Sequence, residues 1–295
     1  MKSRKGKSTV GLRYKLSLPV VLVCCMVFFL AGFWGSSFIS QDDKGSSINE
    51  GLHQQQLLGA NGGEKAVSFE HGESGNSEIS SFSFQVLSWK PRAVLFPNFA
   101  SKETCEAIIA FSRSRLQPSA LALRKGETVD STKDIRTSSG TFVRAKEEKT
   151  GALDWVEEKM ARATMIPRAH GEAFNILRYE FGQKYNSHYD VFDPAEYGPQ
   201  NSQRMASFLL YLSDVGEGGE TMFPFENYEN VNIGYDYKEC IGLKVKPRQG
   251  DALLFYSMLP NGTFDKAALH GSCPVIKGEK WVATKWIRDK PVSFR

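Results

Sequence analysis

The chain has 295 residues, 41% of them hydrophobic and 24% charged, with a formal net charge of +4. That composition suits one globular domain of about 200 residues plus appendages, and it excludes a wholly disordered or collagen-like chain. Much of the positive excess lies in Lys2, Arg4, Lys5, Lys7, Arg13 and Lys15, directly ahead of an apolar run, so it reads as a topology signal and no nucleic-acid partner is expected.

Residues 1–17 read as a basic cytoplasmic tail. Residues 18–39 follow: Leu18 to Trp34 holds no charge, and Asp42 and Asp43 come after it. About 20 apolar residues can cross a bilayer of about 30 Å. With basic residues before the run and acidic ones after it, the expectation is an uncleaved signal anchor with the rest of the chain lumenal, a single-pass type II arrangement. The rival is a cleaved signal peptide ending near Gly35, Ser36 and Ser37. Residues 40–82 are rich in Gly, Ser, Gln, Asn and Glu. Such a segment cannot bury enough apolar surface to offset its ordering entropy, so it reads as a flexible lumenal stem. His53 and His71 lie there and read as solvated.

Residues 83–295 read as the folded domain. Ser83 to Leu95 has strand character. Ser101 is a candidate N-cap for a helix carrying Cys105, Ile108 and Ile109. A second helical pattern runs over 152–165, through Trp155 and Met160. After residue 173 the pattern changes to short strand-like runs: Phe174 to Phe181, Phe208 to Leu212, Leu253 to Tyr256 and Trp281 to Ile287. Helices first and strands later predict an α+β, mostly β domain with its helices on one sheet of a sandwich. Glu217 to Thr221 reads as a tight turn, and without a GK[ST] ending it is no phosphate loop. Asn261-Gly262-Thr263 is the one N-glycosylation sequon, in a loop marked by Pro260. Of five cysteines, Cys24 and Cys25 fall in the apolar run. Cys105, Cys240 and Cys273 permit one intrachain disulfide with one thiol left over, and the sequence does not choose the pair. No CxxC or Cys/His zinc spacing is present, so no structural zinc is expected.

Two segments carry the chemistry. His188 and Asp190 are spaced i and i+2, so on a strand both face one way while Tyr189 faces the other. His270 comes roughly eighty residues later, and Lys280 follows it. Two imidazoles and one carboxylate on one face of an octahedron suit a non-haem Fe(II), leaving open positions for a chelating keto acid and O2. Lys280 precedes the apolar Trp281 and Val282, so its side chain is expected in a confined pocket, where an ammonium needs an anion. Taken singly, each residue has an ordinary reading: a surface His beside a solvated Asp, a buried or capping His, a solvated Lys. The ordered set does not.

These residues and their neighbours resemble the prolyl 4-hydroxylases. The likeness is carried by Arg178 to Tyr185 running into His188 and Asp190, and by Tyr211-Leu212-Ser213-Asp214-Val215. It continues through Gly218-Gly219-Glu220-Thr221 with Phe223-Pro224, Lys246 to Phe255, and His270 to Trp286. It covers about residues 83–295 and is strongest to the short membrane-anchored plant type. The resemblance implies a double-stranded β-helix, or jelly-roll, core. It implies Fe(II) on His188, Asp190 and His270, and 2-oxoglutarate held by Lys280 with Tyr179 and Tyr211 beside it. It further implies O2 as co-substrate and L-ascorbate as a cofactor. The reaction would be C4 hydroxylation of peptidyl proline in proline-rich secretory or cell-wall polypeptides, releasing succinate and CO2. Arg136, Tyr185, Arg204 and Trp286 are the implied substrate contacts, because a polyproline II rod is bound by aromatic faces and by hydrogen bonds to its carbonyls. The implied setting is the endoplasmic reticulum or Golgi membrane, and nothing in the sequence indicates an oligomer. Two other readings stay open: the same chemistry on lysine or a small molecule, and a non-enzymatic jelly-roll lectin or receptor domain on a stalk.

Overall fold

The structure is a computed structural model and describes Met26 and residues 82–232, 235, 236 and 238–292. The expected cytoplasmic tail, anchor and stem, apart from Met26 and Phe82, lie outside the described residues. Among the described residues no helix is long and apolar enough to cross a membrane.

The domain opens with a hairpin of β1 (Gln85–Trp89) and β2 (Arg92–Phe96), paired antiparallel. Where the sequence predicts one strand from Ser83 to Leu95, the chain turns back at Lys90 and Pro91. Proline lacks the N–H that a continuous ladder needs. Helix α1 (Lys102–Arg113) begins at the expected cap: the Ser101 hydroxyl accepts from the Thr104 amide at 3.2 Å. Helix α2 (Ala152–Thr164) follows the predicted pattern and stops at Met165, whose φ of 58° is left-handed.

The rest is mainly strand. In order these are β3 (Gln117–Pro118), β4 (Ser139–Val143), β5 (Phe174–Tyr179), β6 (Tyr185–His188), β7 (Arg204–Tyr211) and β8 (Glu217–Gly218). Then come β9 (Thr221–Phe223), β10 (Leu243–Val245), β11 (Ala252–Tyr256), β12 (His270–Ser272), β13 (Val275–Lys277) and β14 (Lys280–Arg288). β5 ends earlier than the sequence pattern implies. Phe181 is exposed, next to Gly182 with its left-handed φ of 74°. Glu217 to Thr221, expected to be a tight turn, is instead mostly strand: Glu217 and Gly218 form β8, which pairs with β13, and β9 starts at Thr221 after only Gly219 and Glu220. Gly218 has φ of 75°, and a Cβ there would lie 2.2 Å from the Pro274 carbonyl oxygen, so no side chain fits.

An eight-stranded sheet runs β1-β2-β11-β7-β14-β5-β4-β3, and a four-stranded sheet runs β10-β9-β12-β6. Strand alternation gives the large sheet two apolar faces. On one, Phe174, Ile176, Phe208, Leu210, Ala283 and Ile287 pack with Cys105 and Ile108 of α1 and with Leu153, Val156 and Met160 of α2. On the other, Leu177, Tyr179, Leu209, Tyr211 and Val282 meet Phe223 and Val245 of the small sheet. Each fully buried large side chain contributes about 1.5–3 kcal/mol. An exposed ion pair such as Lys102–Glu106 contributes about 0–1 kcal/mol, so these two cores hold the domain. The mostly β architecture, with helices on one sheet, fits the expected jelly-roll core.

Candidate active site

β6 and β12 pair antiparallel in a register that sets His270 opposite His188. This cross-strand pairing joins two histidines far apart in sequence. Asp190 lies two residues past His188, just beyond the end of β6. His188 Nε2 is 3.6 Å from one Asp190 carboxylate oxygen, and His270 Nε2 is 3.5 Å from the other. The ligand atoms of all three lie within 4.8 Å of one another. Tyr189, as the strand period requires, turns outward and donates its hydroxyl to the Lys266 carbonyl at 3.0 Å.

Both rings are held in a ligand-ready form. Nδ1 of His188 lies 2.9 Å from the Asn186 carbonyl, and Nδ1 of His270 lies 3.0 Å from the Ala268 carbonyl. A ring nitrogen facing a carbonyl carries the proton, which leaves each Nε2 with its lone pair. The Tyr185 ring stacks on His188 with centroids 3.7 Å apart, and Phe255 lies 4.5 Å from His270. Burial works against charge on Asp190, but His270 and His188 outweigh it and hold the carboxyl well below the usual range. Burial pushes His270 down to about 4, which keeps it neutral near pH 7. Two imidazoles and one carboxylate, clustered and aimed together, fit a divalent iron.

Lys280 opens β14 and is 1% exposed. Its register partner is Tyr179 on β5. The ammonium donates to the Ser272 hydroxyl at 2.8 Å and sits 5.3 Å and 5.9 Å from the ring centroids of Tyr179 and Tyr211. Burial pushes its pKa down to about 7, with Glu220 opposing. Tyr211 is fully buried and donates its hydroxyl to Thr221 at 2.8 Å. Lys280 is thus buried, with its ammonium near the rings of both Tyr179 and Tyr211.

The four expected substrate contacts fall into two groups. Arg136 bridges to Tyr185, its guanidinium 4.7 Å from that ring, so this pair leads directly to His188. Arg204 lies over the Trp286 ring at 3.7 Å and pairs with Glu172 at 2.8 Å. The second group meets the metal-ligand cluster through β7: Trp286 is opposite Ser207, and the Ser207 hydroxyl donates to Asp190 at 2.5 Å. Asn261 stands apart in an exposed loop, its side-chain oxygen accepting from the Thr263 amide at 3.0 Å.

Sequence reasoning missed Ser207, Ser272, Thr221 and Glu172. For Ser272 a signal existed: it follows His270 by two residues on the same strand, hence on the same face. Ser207 was visible only as a lone hydroxyl inside the apolar run Met205 to Tyr211.

A family model described as the 2OG-Fe(II) oxygenase superfamily matches residues 174–288. The chain is 66% identical over 278 residues to a protein named probable prolyl 4-hydroxylase 9 from Arabidopsis thaliana, covering 94% of this chain and 96% of that one. It is 52% identical over 280 residues to prolyl 4-hydroxylase 13 of the same plant, covering 95% and 97%. A solved viral collagen prolyl hydroxylase from Paramecium Bursaria Chlorella virus-1, in a 2OG complex, is similar at 26% identity with a TM-score of 0.47, covering 66% of this chain and 95% of that one. Identity at the level of the first two, across nearly the whole of each protein, assigns the chain to their family: it belongs to the prolyl 4-hydroxylases, within the Fe(II)- and 2-oxoglutarate-dependent oxygenases.

Proposed function

We infer that this chain hydroxylates C4 of peptidyl proline in proline-rich secretory or cell-wall polypeptides, consuming O2 and 2-oxoglutarate and releasing succinate and CO2. The observation that carries this reading is the cluster of His188, Asp190 and His270, joined through Ser272 to the buried ammonium of Lys280. Two imidazoles and a carboxylate suit Fe(II), while a buried cation beside them suits the far carboxylate of a keto-diacid. Bound Fe(II) supplies the redox chemistry that activates O2. His188, Asp190 and His270 hold it. Lys280 pairs with the distal carboxylate of 2-oxoglutarate, and Tyr179 and Tyr211 wall the pocket against water. Arg136 and Tyr185 on one side, with Arg204 and Trp286 on the other, offer aromatic and cationic surfaces to a polyproline II segment. L-ascorbate serves as a reductant that keeps the iron ferrous.

The same reading makes residues 1–17 a cytoplasmic tail, 18–39 a membrane anchor, 40–82 a stem and 83–295 a lumenal catalytic domain in the endoplasmic reticulum or Golgi. The Cys240–Cys273 disulfide suits an oxidising lumen, and the exposed Asn261 sequon suits a glycan there. Retention in the membrane pellet after alkaline carbonate extraction supports the anchor; a soluble mature chain starting near residue 36 overturns it. The activity is tested by succinate release coupled to 4-hydroxyproline formation in a panel of proline-rich peptides. Turnover of 2-oxoglutarate with no peptide hydroxylated would contradict it.

A further inference from the structure

A second set of metal-ligand side chains gathers behind the strand that carries His270. The pairing of β12 with β9 sets Ser272 opposite Thr221, and the next amide, that of Cys273, donates to the Glu220 carbonyl at 2.9 Å. Cys240 reaches the same place from the segment between β9 and β10 and is disulfide-bonded to Cys273. The ligand atoms of Glu220, Cys240 and Cys273 all lie within 4.8 Å of one another. Among the described residues, the Glu220 carboxylate makes no hydrogen bond; the charge it acts on is the Lys280 ammonium.

We propose that, when a dithiol reductant opens the Cys240–Cys273 bond, Glu220, Cys240 and Cys273 bind one thiophilic divalent cation, Zn2+ in preference to Fe2+. The reductant closes its own disulfide and passes two electrons and two protons to the protein sulfurs. Cation binding then releases the two thiol protons. Two thiolates and a carboxylate give three of the four corners that Zn2+ takes, with water as the fourth. Thiolates select Zn2+, whereas the imidazole and carboxylate set of His188, Asp190 and His270 suits iron.

The site needs Cys240 to stay in place once its sulfur is free, and the chain tethers it on both sides. Before it, the Tyr235 hydroxyl donates to the Glu239 carbonyl at 2.5 Å and lies 3.1 Å from the Ser187 hydroxyl on β6. After it, Gly242 sits so tightly on β9 that a Cβ there would be 2.2 Å from the Phe223 carbonyl oxygen. β10 then pairs with β9 from Leu243 onward. Cys105 does not compete, because it is buried and burial pushes its thiol up to about 12. The sequence hides the site: its cysteines are 33 residues apart and match no zinc spacing.

Co2+ titration of the full-length chain tests this, because thiolate ligation gives a charge-transfer absorption that nitrogen and oxygen ligands do not. The reduced chain should develop that band with one equivalent of Co2+, and Zn2+ should bleach it. The oxidised chain should show none. The band should persist in His188→Ala, which separates it from the iron cluster, and vanish in Cys240→Ser. Glu220→Gln keeps both sulfurs and should weaken Co2+ binding by at least the roughly tenfold that losing even an outer partner costs. Circular dichroism checks that each protein is folded. No band in the folded reduced chain, a band surviving in Cys240→Ser, wild-type affinity in Glu220→Gln, or loss of the fold on reduction would each overturn the proposal.

Discussion

Burial holds the Lys280 ammonium at about pKa 7, against an ordinary 10.5. Between those values the unfolded chain keeps the proton and the folded chain gives it up, so the unfolded state binds more protons and stability rises with pH. Below pH 7 the folded protein carries the full cost of a buried charge. Lys280→Met removes that cost. The ligand-free variant should therefore melt at least about 2 °C higher than wild type at pH 7, the shift expected of about 1 kcal/mol in a domain this size. The gap should narrow as pH rises toward 10. Equal melting temperatures at pH 7 would show that the ammonium is not confined. Function should move the other way: losing a charge-assisted bond worth about 1.5–3 kcal/mol raises the KM for 2-oxoglutarate by roughly ten- to a hundredfold. The same titration predicts that wild-type KM for 2-oxoglutarate rises by up to about tenfold per pH unit above 7, as the ammonium deprotonates before the ligand arrives. Lys280→Arg keeps its charge and should lose that pH dependence, while binding less tightly overall because its planar fork fits the pocket differently. A flat wild-type profile would remove Lys280 from the 2-oxoglutarate site.

Among the secondary-structure elements, the catalytic cluster depends on strands from both sheets. β6 and β12 of the small sheet carry His188 and His270, Asp190 follows β6, and β7 of the large sheet sends Ser207 across to Asp190. Ser207→Ala leaves volume and fold almost unchanged but frees the carboxylate to rotate. Iron affinity should drop about 10- to 100-fold by titration, with little change in melting temperature. Unchanged affinity would make the contact incidental. Leu153 of α2 provides the converse case, being fully buried on the face of the large sheet away from the iron cluster. Leu153→Ala should cost about 2–5 kcal/mol of stability and leave iron stoichiometry intact. Loss of iron binding at a temperature where the variant remains folded would mean the helices shape the site directly. These elements were unequally legible. The helix start at Ser101 and the shared face of His188 and Asp190 follow from local rules of capping and strand period. The hairpin break at Lys90 and Pro91 was missed because strand propensity on both sides masked the turn. Ser207 could not be foreseen from its own strand, since its partner lies on the other sheet.

Over the whole molecule, the two cores and the grouping of His188, Asp190 and His270 were accessible from sequence because each rests on a periodic pattern or a specific residue set. The choice of Cys240 with Cys273 was not, since three thiols give no spacing rule and Cys240 reaches Cys273 from the segment between β9 and β10. The paired arrangement of Arg204 with Glu172 and Trp286 was equally hidden, because it joins β7, the segment before β5, and β14. The β6–β12 register brings His188 and His270 together, with Asp190 beside them, and the proposed activity rests on that grouping. Iron titration of the full-length protein, run on wild type and on His188→Ala, Asp190→Ala and His270→Ala, tests this most directly. Wild type should bind one Fe(II) per chain, and each folded variant should lose stoichiometric iron together with peptide hydroxylation. A variant that keeps both its iron and its turnover would contradict it.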